Sequence, residues 1–527
     1  MSTRSAGRLG RLALCVLVVG VGGCGGGGGN GGPFANPPDS GWVPGQFLPA
    51  ASFAGKCVNP RSGTDLFGDP FPDVQGTRID ENNWLRSWSN DLYLWYDEIV
   101  DHDPGLHPTD AYFQLMKTGE RTSSGALKDR FHFTYPTDQW QALVLSGTEA
   151  GYGAVWSIVE SLPPRRIVVT YTQPNSPATQ PAANLQRGEE ILAVDGHDVI
   201  NSTTQTAVAG FLAGLFPETL DETHTFVVRN PQTGEQRTVT MTSAEVAIDP
   251  VQNAQVVSTL TGNVGYMLFT DHLPIAEQEL IDTFAMFKAQ NVTDLVVDLR
   301  YNGGGVLALA SEVAYMIAGD VPTAGQPFER LQFNDKHTAI NPFTGGPLVP
   351  MPFFNGSSQG QPLPTLNLPR VFVLTSLNTC SASESIMNGL RGVGVEVIQV
   401  GSKTCGKPYG FVPEDNCGTT YFTIQMQGVN AAGFGDYGDG FVPQNAPGLG
   451  GVRLPGCAVH DDLTKALGDP EEARFKAALA LRDGAACPVP SGPKPSFTKP
   501  DNGVAGEDGD VTVQKSPWLM NRWLYEL

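Results

Sequence analysis

The chain is 527 residues long and 40% hydrophobic, with 33 basic against 54 acidic residues and a formal net charge of −21 at pH 7. Such a length accommodates roughly two to four domains with filled cores. The acidic excess excludes nucleic acid and an anionic membrane surface as electrostatic partners.

In chain order, Arg4, Arg8 and Arg11 precede an apolar run over residues 12–21, the layout of an export signal. The run is too short and glycine-rich for a membrane-spanning helix. Val21-Gly-Gly-Cys24 resembles a bacterial lipoprotein signal, which implies cleavage before Cys24 (residues 1–24) and a lipid on its thiol. An ordinary secretory peptide is the alternative. Gly25 stands where an inner-membrane lipoprotein often has Asp, which points to the outer membrane or cell surface of a bacterial envelope. A glycine-rich tether and a Pro/Gly-rich linker fill 25–75.

Beyond the signal, six cysteines remain: Cys57, Cys380, Cys405, Cys417, Cys457 and Cys487. An even number in an exported chain favours disulfides. Cys405 and Cys417 flank a short Pro/Gly-rich loop and are the expected pair; the other connectivities stay open. No Cys/His spacing suits zinc, and no metal or cofactor is expected.

Trp84, Leu85, Trp88, Leu92, Trp95, Tyr96 and Ile99 recur at three- and four-residue spacing, which predicts a helix with an aromatic, core-facing stripe. A second helix starts at 110, and Asp129-Arg-Phe-His-Phe133 closes an N-terminal helical region over 76–137. From 138 to 245 the pattern changes to short β runs, with paired strands around the turn Pro231-Gln-Thr-Gly234. This stretch resembles a PDZ domain of the bacterial protease type. Gly151, Tyr152 and Gly153 stand at the carboxylate-binding loop, and Arg187-Gly188 with Val194-Asp-Gly196 match a further block, Glu189 replacing the usual Asp. The resemblance implies capture of extended C-terminal peptides by strand addition; a spacer of the same shape without peptide affinity is the alternative.

Residues 246–485 alternate apolar strands (264–269, 295–299, 371–375, 395–401) with helices (277–290, 306–318 and one opening after Cys380). Such alternation predicts a layered α/β domain. Beyond 486 the chain is a Pro/Gly/Asp-rich tail in which Trp518, Trp523 and Leu524 are suited to dock back on the body.

Three strand ends carry polar residues suited to chemistry: the run to Gly303-Gly304-Gly305, then Ser381, then Lys407. A serine hydroxyl is inert until a base takes its proton, and a neutral amine can do so. Lysine's ordinary pKa of ~10.4 must fall to roughly 7–8 for that task. Burial lowers it, and a nearby carboxylate opposes the change. Taken singly, Ser381-Ala-Ser-Glu384 is a helix capping box, Lys407 a surface lysine and the glycines a turn.

Taken in order, Asp298-Leu-Arg-Tyr-Asn-Gly-Gly-Gly305, Ser381-Ala-Ser-Glu384, Thr404-Cys-Gly-Lys407, Asp436-Tyr-Gly-Asp-Gly-Phe-Val-Pro443 and Ala466-Leu-Gly-Asp-Pro470 resemble peptidase family S41, the C-terminal processing or tail-specific proteases. The resemblance implies a mixed α/β fold: a ClpP/crotonase-like layered catalytic domain with the N-terminal helical region and an inserted PDZ-like β domain. It implies Ser381 as nucleophile, Lys407 as general base and polypeptides as substrates. An oxyanion hole is expected from backbone N–H groups of Ala382 and of Gly304 or Gly305. Many members have Gln four residues after the lysine; here that residue is Phe411, so a third catalytic member has no candidate. None of the eight histidines stands in evident partnership with Ser381, so a Ser-His-Asp triad ranks second. A PDZ scaffold on an inactive protease fold is the non-enzymatic alternative.

Overall fold

A computed structural model describes residues 40–488 except 66–67, 218 and 447, together with 512–514 and 522–523. Cys24 with its signal, the glycine tether, Trp518 and Leu524 lie outside the described residues. Among the described residues, no helix is long and apolar enough to cross a membrane.

Helix α1 (Arg78–Leu92) opens on a reciprocal capping box: Asp80 N–H donates to Thr77 Oγ1 and Thr77 N–H to the Asp80 carboxylate. Trp84 and Trp88 stack at 5.1 Å and meet Tyr421 from far along the chain. The predicted stripe is core, but the helix is shorter than its spacing suggests. Tyr93 is extended and Leu94 N–H donates to Ile424 O, so Trp95, Tyr96 and Ile99 follow in a turn and a single 3-10 helix, Tyr96–Glu98. A cross-chain hydrogen bond overrides the local periodicity there.

The β-rich insert is an antiparallel sheet of β1 (Ala154–Glu160), β2 (Arg166–Thr172), β3 (Glu190–Val194), β4 (Thr223–Arg229) and β5 (Gln236–Thr242), ordered β5-β4-β3-β2-β1. Helix α2 (Gln205–Leu215) begins where Thr204 accepts the Ala207 N–H. Trp156, Ile191, Phe211, Phe226 and Met241 give the insert its own core.

The second sheet runs β6 (Val251–Thr259), β7 (Gly262–Phe269), β8 (Val292–Asp298), β9 (Arg370–Thr375), β10 (Glu396–Gly401) and β11 (Gly456–Ala458). Only β6–β7 is antiparallel; the other neighbours are parallel. Such strands are covered on both faces and read as continuous apolar runs. Leu295, Val297 and Val373 pack with α3 (Ala276–Ala289), α4 (Leu307–Ala318) and α5 (Ala382–Gly392). Val296, Phe372, Leu374 and Val400 face Phe475 and Ala478 of α6 (Ala473–Arg482). Asp298 registers with Leu374, and Leu374 with Val400. The carboxyl ends of β8, β9 and β10 are therefore level, and the loops leaving them converge.

One of those loops is anchored by buried charge. Arg300 is fully buried; its guanidinium meets Asp298 at 2.9 Å, Glu472 at 2.8 and 2.9 Å, and Asp461 at 2.8 Å. Arg187 of the insert joins this network through Asp461 at 2.6 Å and the Tyr301 hydroxyl at 2.8 Å. The Arg187-Gly188 segment thus packs on the loop after β8.

All six remaining cysteines are paired, but not as the sequence suggested: Cys57–Cys417, Cys380–Cys405 and Cys457–Cys487. Cys405 and Cys417 do not bond to each other. Cys417 sits in the turn of the hairpin Glu414–Asn416/Thr419–Phe422, whose Asn416 side chain accepts the Gly55 N–H and faces the Cys57 strand. Cys405 instead lies 5.2 Å in Cα–Cα distance from Cys380.

Arg300→Ala leaves Asp298, Glu472 and Asp461 buried without their common cation. We expect a loss of about 3–5 kcal/mol in folding stability, read as a lowered urea midpoint.

Candidate active site

The loop after β9 is sewn onto the loop after β8. Ser376 Oγ donates to Arg300 O, Thr379 Oγ1 to Leu299 O at 2.8 Å, and Cys380 N–H to Asn302 O at 3.1 Å. These bonds deliver Ser381 to the start of α5, where the helix presents its positive end. Ser381 adopts φ 61° and ψ −116°, a left-handed conformation costing about 1–3 kcal/mol for a residue with a side chain. It is fully buried, and its Oγ has no geometrically sound hydrogen-bond partner among the described residues. A strained serine with an uncommitted hydroxyl at a strand-to-helix turn is the backbone arrangement of a nucleophile elbow on an α/β sheet.

Gly304 lies against it. At φ 104°, a Cβ on Gly304 would stand 2.8 Å from Ser381 Cβ and 2.9 Å from Ala382 N, so only glycine permits this approach. The Gly304 N–H, however, donates to Asn302 Oδ1 at 2.9 Å. This corrects one expectation: Gly304 supplies space and is not an available oxyanion donor. The Gly305 and Ala382 N–H groups stay as the candidates. Asn302 Oδ1 also meets His272 Nδ1, while its amide donates to Phe269 O. The residue before the glycines therefore fixes their conformation.

Glu384, which the sequence offers as a capping residue, does more than cap. It accepts the Ser381 N–H at 3.1 Å and the Lys407 N–H at 2.8 Å on the same carboxylate oxygen. Its other oxygen takes the Gly406 N–H at 2.9 Å and the Thr404 hydroxyl. One buried side chain thus joins the two loops that carry Ser381 and Lys407. Burial pushes its carboxyl pKa up, opposed by the hydrogen bonds from Thr404, Lys407, Gly406 and Ser381. The Cys380–Cys405 disulfide staples the same two loops. Cys380, Glu384 and Cys405 place potential metal ligands within 4.8 Å of one another, but both sulfurs are spent in that disulfide.

The loop after β10 is held from outside by the downstream block 436–443. Thr404 N–H donates to Phe441 O at 3.0 Å and Phe441 N–H to Thr404 Oγ1 at 2.7 Å. A Cβ on Gly406 would sit 2.4 Å from Gly438 O. Lys407 follows, fully buried. Its Nζ lies 4.3 Å from the Phe411 ring centroid and 4.9 Å from that of Phe131. Burial pulls the Lys407 pKa well below its ordinary 10.5, with Asp129 and Glu384 acting in the opposite direction. Asp129 is itself buried, bonded by the Tyr93 hydroxyl at 2.8 Å and the Phe131 N–H at 2.9 Å. Phe411 therefore offers an aromatic face where an amide was expected.

The fold brings Ser381, Ala382, Gly304, Gly305 and Lys407 into one locale. Gly151, Tyr152 and Gly153 instead open the insert: the Tyr152 ring is buried in its core and its hydroxyl donates to Gly214 O at 3.0 Å. Sequence reasoning missed Asp129, Phe131, Asn302 and the joining role of Glu384. For Glu384 and Asn302 the signal was present, since both lie inside the quoted motifs. No local pattern links Asp129 and Phe131 to Lys407.

Residues 263–413 match the model of peptidase family S41. The chain carries an S41 peptidase domain. A carboxyl-terminal-processing protease of a Picosynechococcus strain is 28% identical over 333 residues, covering 61% of this chain and 72% of that protein. A crystal structure assigned to the S41 proteases, from Bacteroides fragilis, superposes with a TM-score of 0.57 at 22% identity, covering 79% of this chain and 98% of the other. The S41 domain makes the chain a serine-type peptidase, and its mixed α/β architecture agrees with the expected fold class.

Cys380→Ala/Cys405→Ala removes one of the two clamps on the S41 site and leaves the Glu384 clamp. The double variant should lose stability of about 3 kcal/mol, as expected for a disulfide closing a loop of this size. Thermal unfolding measures this, and the rate of covalent serine labelling should fall with it.

Proposed function

We propose that this chain is an exported serine endopeptidase in which Ser381 is the nucleophile and Lys407 the general base. The observation that carries the reading is the Glu384 carboxylate oxygen shared by the Ser381 and Lys407 N–H groups. Around it sit a strained serine and a buried lysine of lowered pKa.

The neutral Lys407 amine takes the Ser381 Oγ proton as Oγ attacks the scissile carbonyl carbon. The oxyanion that forms is met by N–H groups of Gly305 and Ala382, aided by the amino end of α5. Lys407, now an ammonium, returns the proton to the leaving amine. The acyl-enzyme is then cut by water, with the same amine serving as base. Burial that favours the neutral Lys407 amine supports the lysine over a triad.

In the same reading the PDZ-like insert, from Gly151-Tyr152-Gly153 into β1, holds the tail of a polypeptide substrate. Cys24 carries a lipid that tethers the enzyme in the bacterial envelope. Three disulfides support an oxidising compartment.

A fluorophosphonate probe should label the protein, and Ser381→Ala should abolish labelling. An intact chain that never labels would overturn the peptidase reading in favour of a peptide-binding scaffold. Lys407→Ala should lower turnover by roughly 10²–10⁴, the range for loss of a general base. Because the base acts when neutral and burial lowers its pKa, activity should persist below the usual lysine range. It should fall as pH drops through the folded Lys407 pKa, a limb that Lys407→Ala removes from the pH–rate profile.

A further inference from the structure

Helix α5 has Ser381 at its amino end and Arg391 in its last turn. At 1.5 Å per residue the two stand about 15 Å apart along the axis, so Arg391 lies away from the S41 site. A cation in a last helical turn complements the helix's negative end. That accounts for the charge but not for its setting.

The Arg391 guanidinium carbon lies 5.2 Å from the Phe434 ring centroid and 5.4 Å from that of Phe441. Its Nη1 is buried and has no hydrogen-bond partner among the described residues. Burial pulls the Arg391 pKa below its ordinary range, with no carboxylate among the described residues acting against it. This is unexpected in a chain with 54 acidic residues to 33 basic ones. Aromatic faces compensate a cation only in part, and a buried charge without a counter-ion is costly.

Arg391 lines a cleft of about 400 Å³ between the end of α5, the start of β10 and the segments around 430–434 and 454–455. Val395, Val397, Phe434, Leu454 and Pro455 give that cleft apolar walls. Glu396, an exposed residue, lines it as well and forms no ion pair with Arg391. Its carboxylate disfavours a multiply charged anion such as phosphate, so a single negative charge fits better.

We propose that this cleft binds a carboxylate carried on a compact apolar group, with Arg391 as the anchor. The guanidinium fork donates to both carboxylate oxygens, and the apolar group lies on the walls. A polypeptide ending in an apolar residue has this chemistry, and so has a short branched carboxylic acid. The site shares no residue with the Ser381 locale and holds whichever residue is the nucleophile.

Calorimetric titration of the full chain tests this with N-acetyl-leucine, which mimics a polypeptide end. It should bind, and N-acetyl-leucinamide, which lacks the carboxylate, should not. Arg391→Met keeps the apolar stem and should weaken binding by about tenfold or more. Arg391→Lys keeps the charge without the fork and should weaken it by roughly threefold to tenfold. Glu396→Gln removes the neighbouring negative charge and should tighten binding by about twofold to fivefold. Because the insert is itself proposed to hold polypeptide tails, only the binding that depends on Arg391 counts. Isocaproate, with the same branched chain and no amide, separates the two sources: equal affinity assigns the cleft to a free acid, weaker affinity to a polypeptide end. Binding unchanged in Arg391→Met overturns the proposal, as does failure of both acids to bind. An unlowered thermal midpoint shows that Arg391→Met is folded; if it is not, Arg391→Lys and Glu396→Gln decide by the same criterion, and unchanged binding in both overturns the proposal.

Discussion

The Glu384 carboxylate is the constraint on which the rest of the site depends. Ser381 and Lys407 leave different strands, and parallel strands leave the loops beyond them free to diverge. By accepting backbone N–H groups from both residues, one buried side chain converts two loops into a single rigid unit. A buried carboxyl of this kind is costly unless its lone pairs are used, and here Thr404 and Gly406 take the remaining oxygen. The disulfide between Cys380 and Cys405 repeats the connection covalently, so hydrogen bonding and chain connectivity specify the same geometry.

Once the loops are fixed, electrostatics follow from burial. Lys407 is enclosed by Phe131 and Phe411, and removal of water disfavours its charged form. The aromatic faces and the Asp129 carboxylate act the other way, so the amine is lowered in pKa without losing all stabilisation as an ammonium. A base that must be neutral before attack and charged afterwards needs both influences. Phe411 thus confines the lysine by packing, where an amide would do so by hydrogen bonding.

The larger scaffold supports this arrangement through the loop after β8. Arg300 binds three carboxylates beneath that loop, and Arg187 brings the insert onto Tyr301, one residue before Asn302. Any movement of the insert therefore bears on the residue that shapes Gly304. The left-handed Ser381 stores strain in the same small volume, and it persists because Thr379, Cys380 and Glu384 hold the backbone on both sides.

Much of this was legible in order along the chain. Apolar runs marked β7 to β10, glycines marked the turn after β8, and Ser381 with Lys407 stood at strand ends because parallel strands place their chemistry there. The pairing of Cys405 with Cys417 failed because nearness in sequence does not report which way a hairpin points. The helix through Trp95 failed because a hydrogen bond to Ile424 outweighed local spacing. Gly304 stood in the motif as an oxyanion donor, but its close approach to Ser381 and the use of its N–H by Asn302 arise only in the fold. By itself the sequence determined the layered α/β class, the strand ends and the residue types available for acyl transfer, because these follow from local periodicity and side-chain chemistry. Tertiary structure alone decided which buried groups surround Lys407, how Glu384 unites the two loops and which cysteines bond, because these depend on contacts between segments hundreds of residues apart.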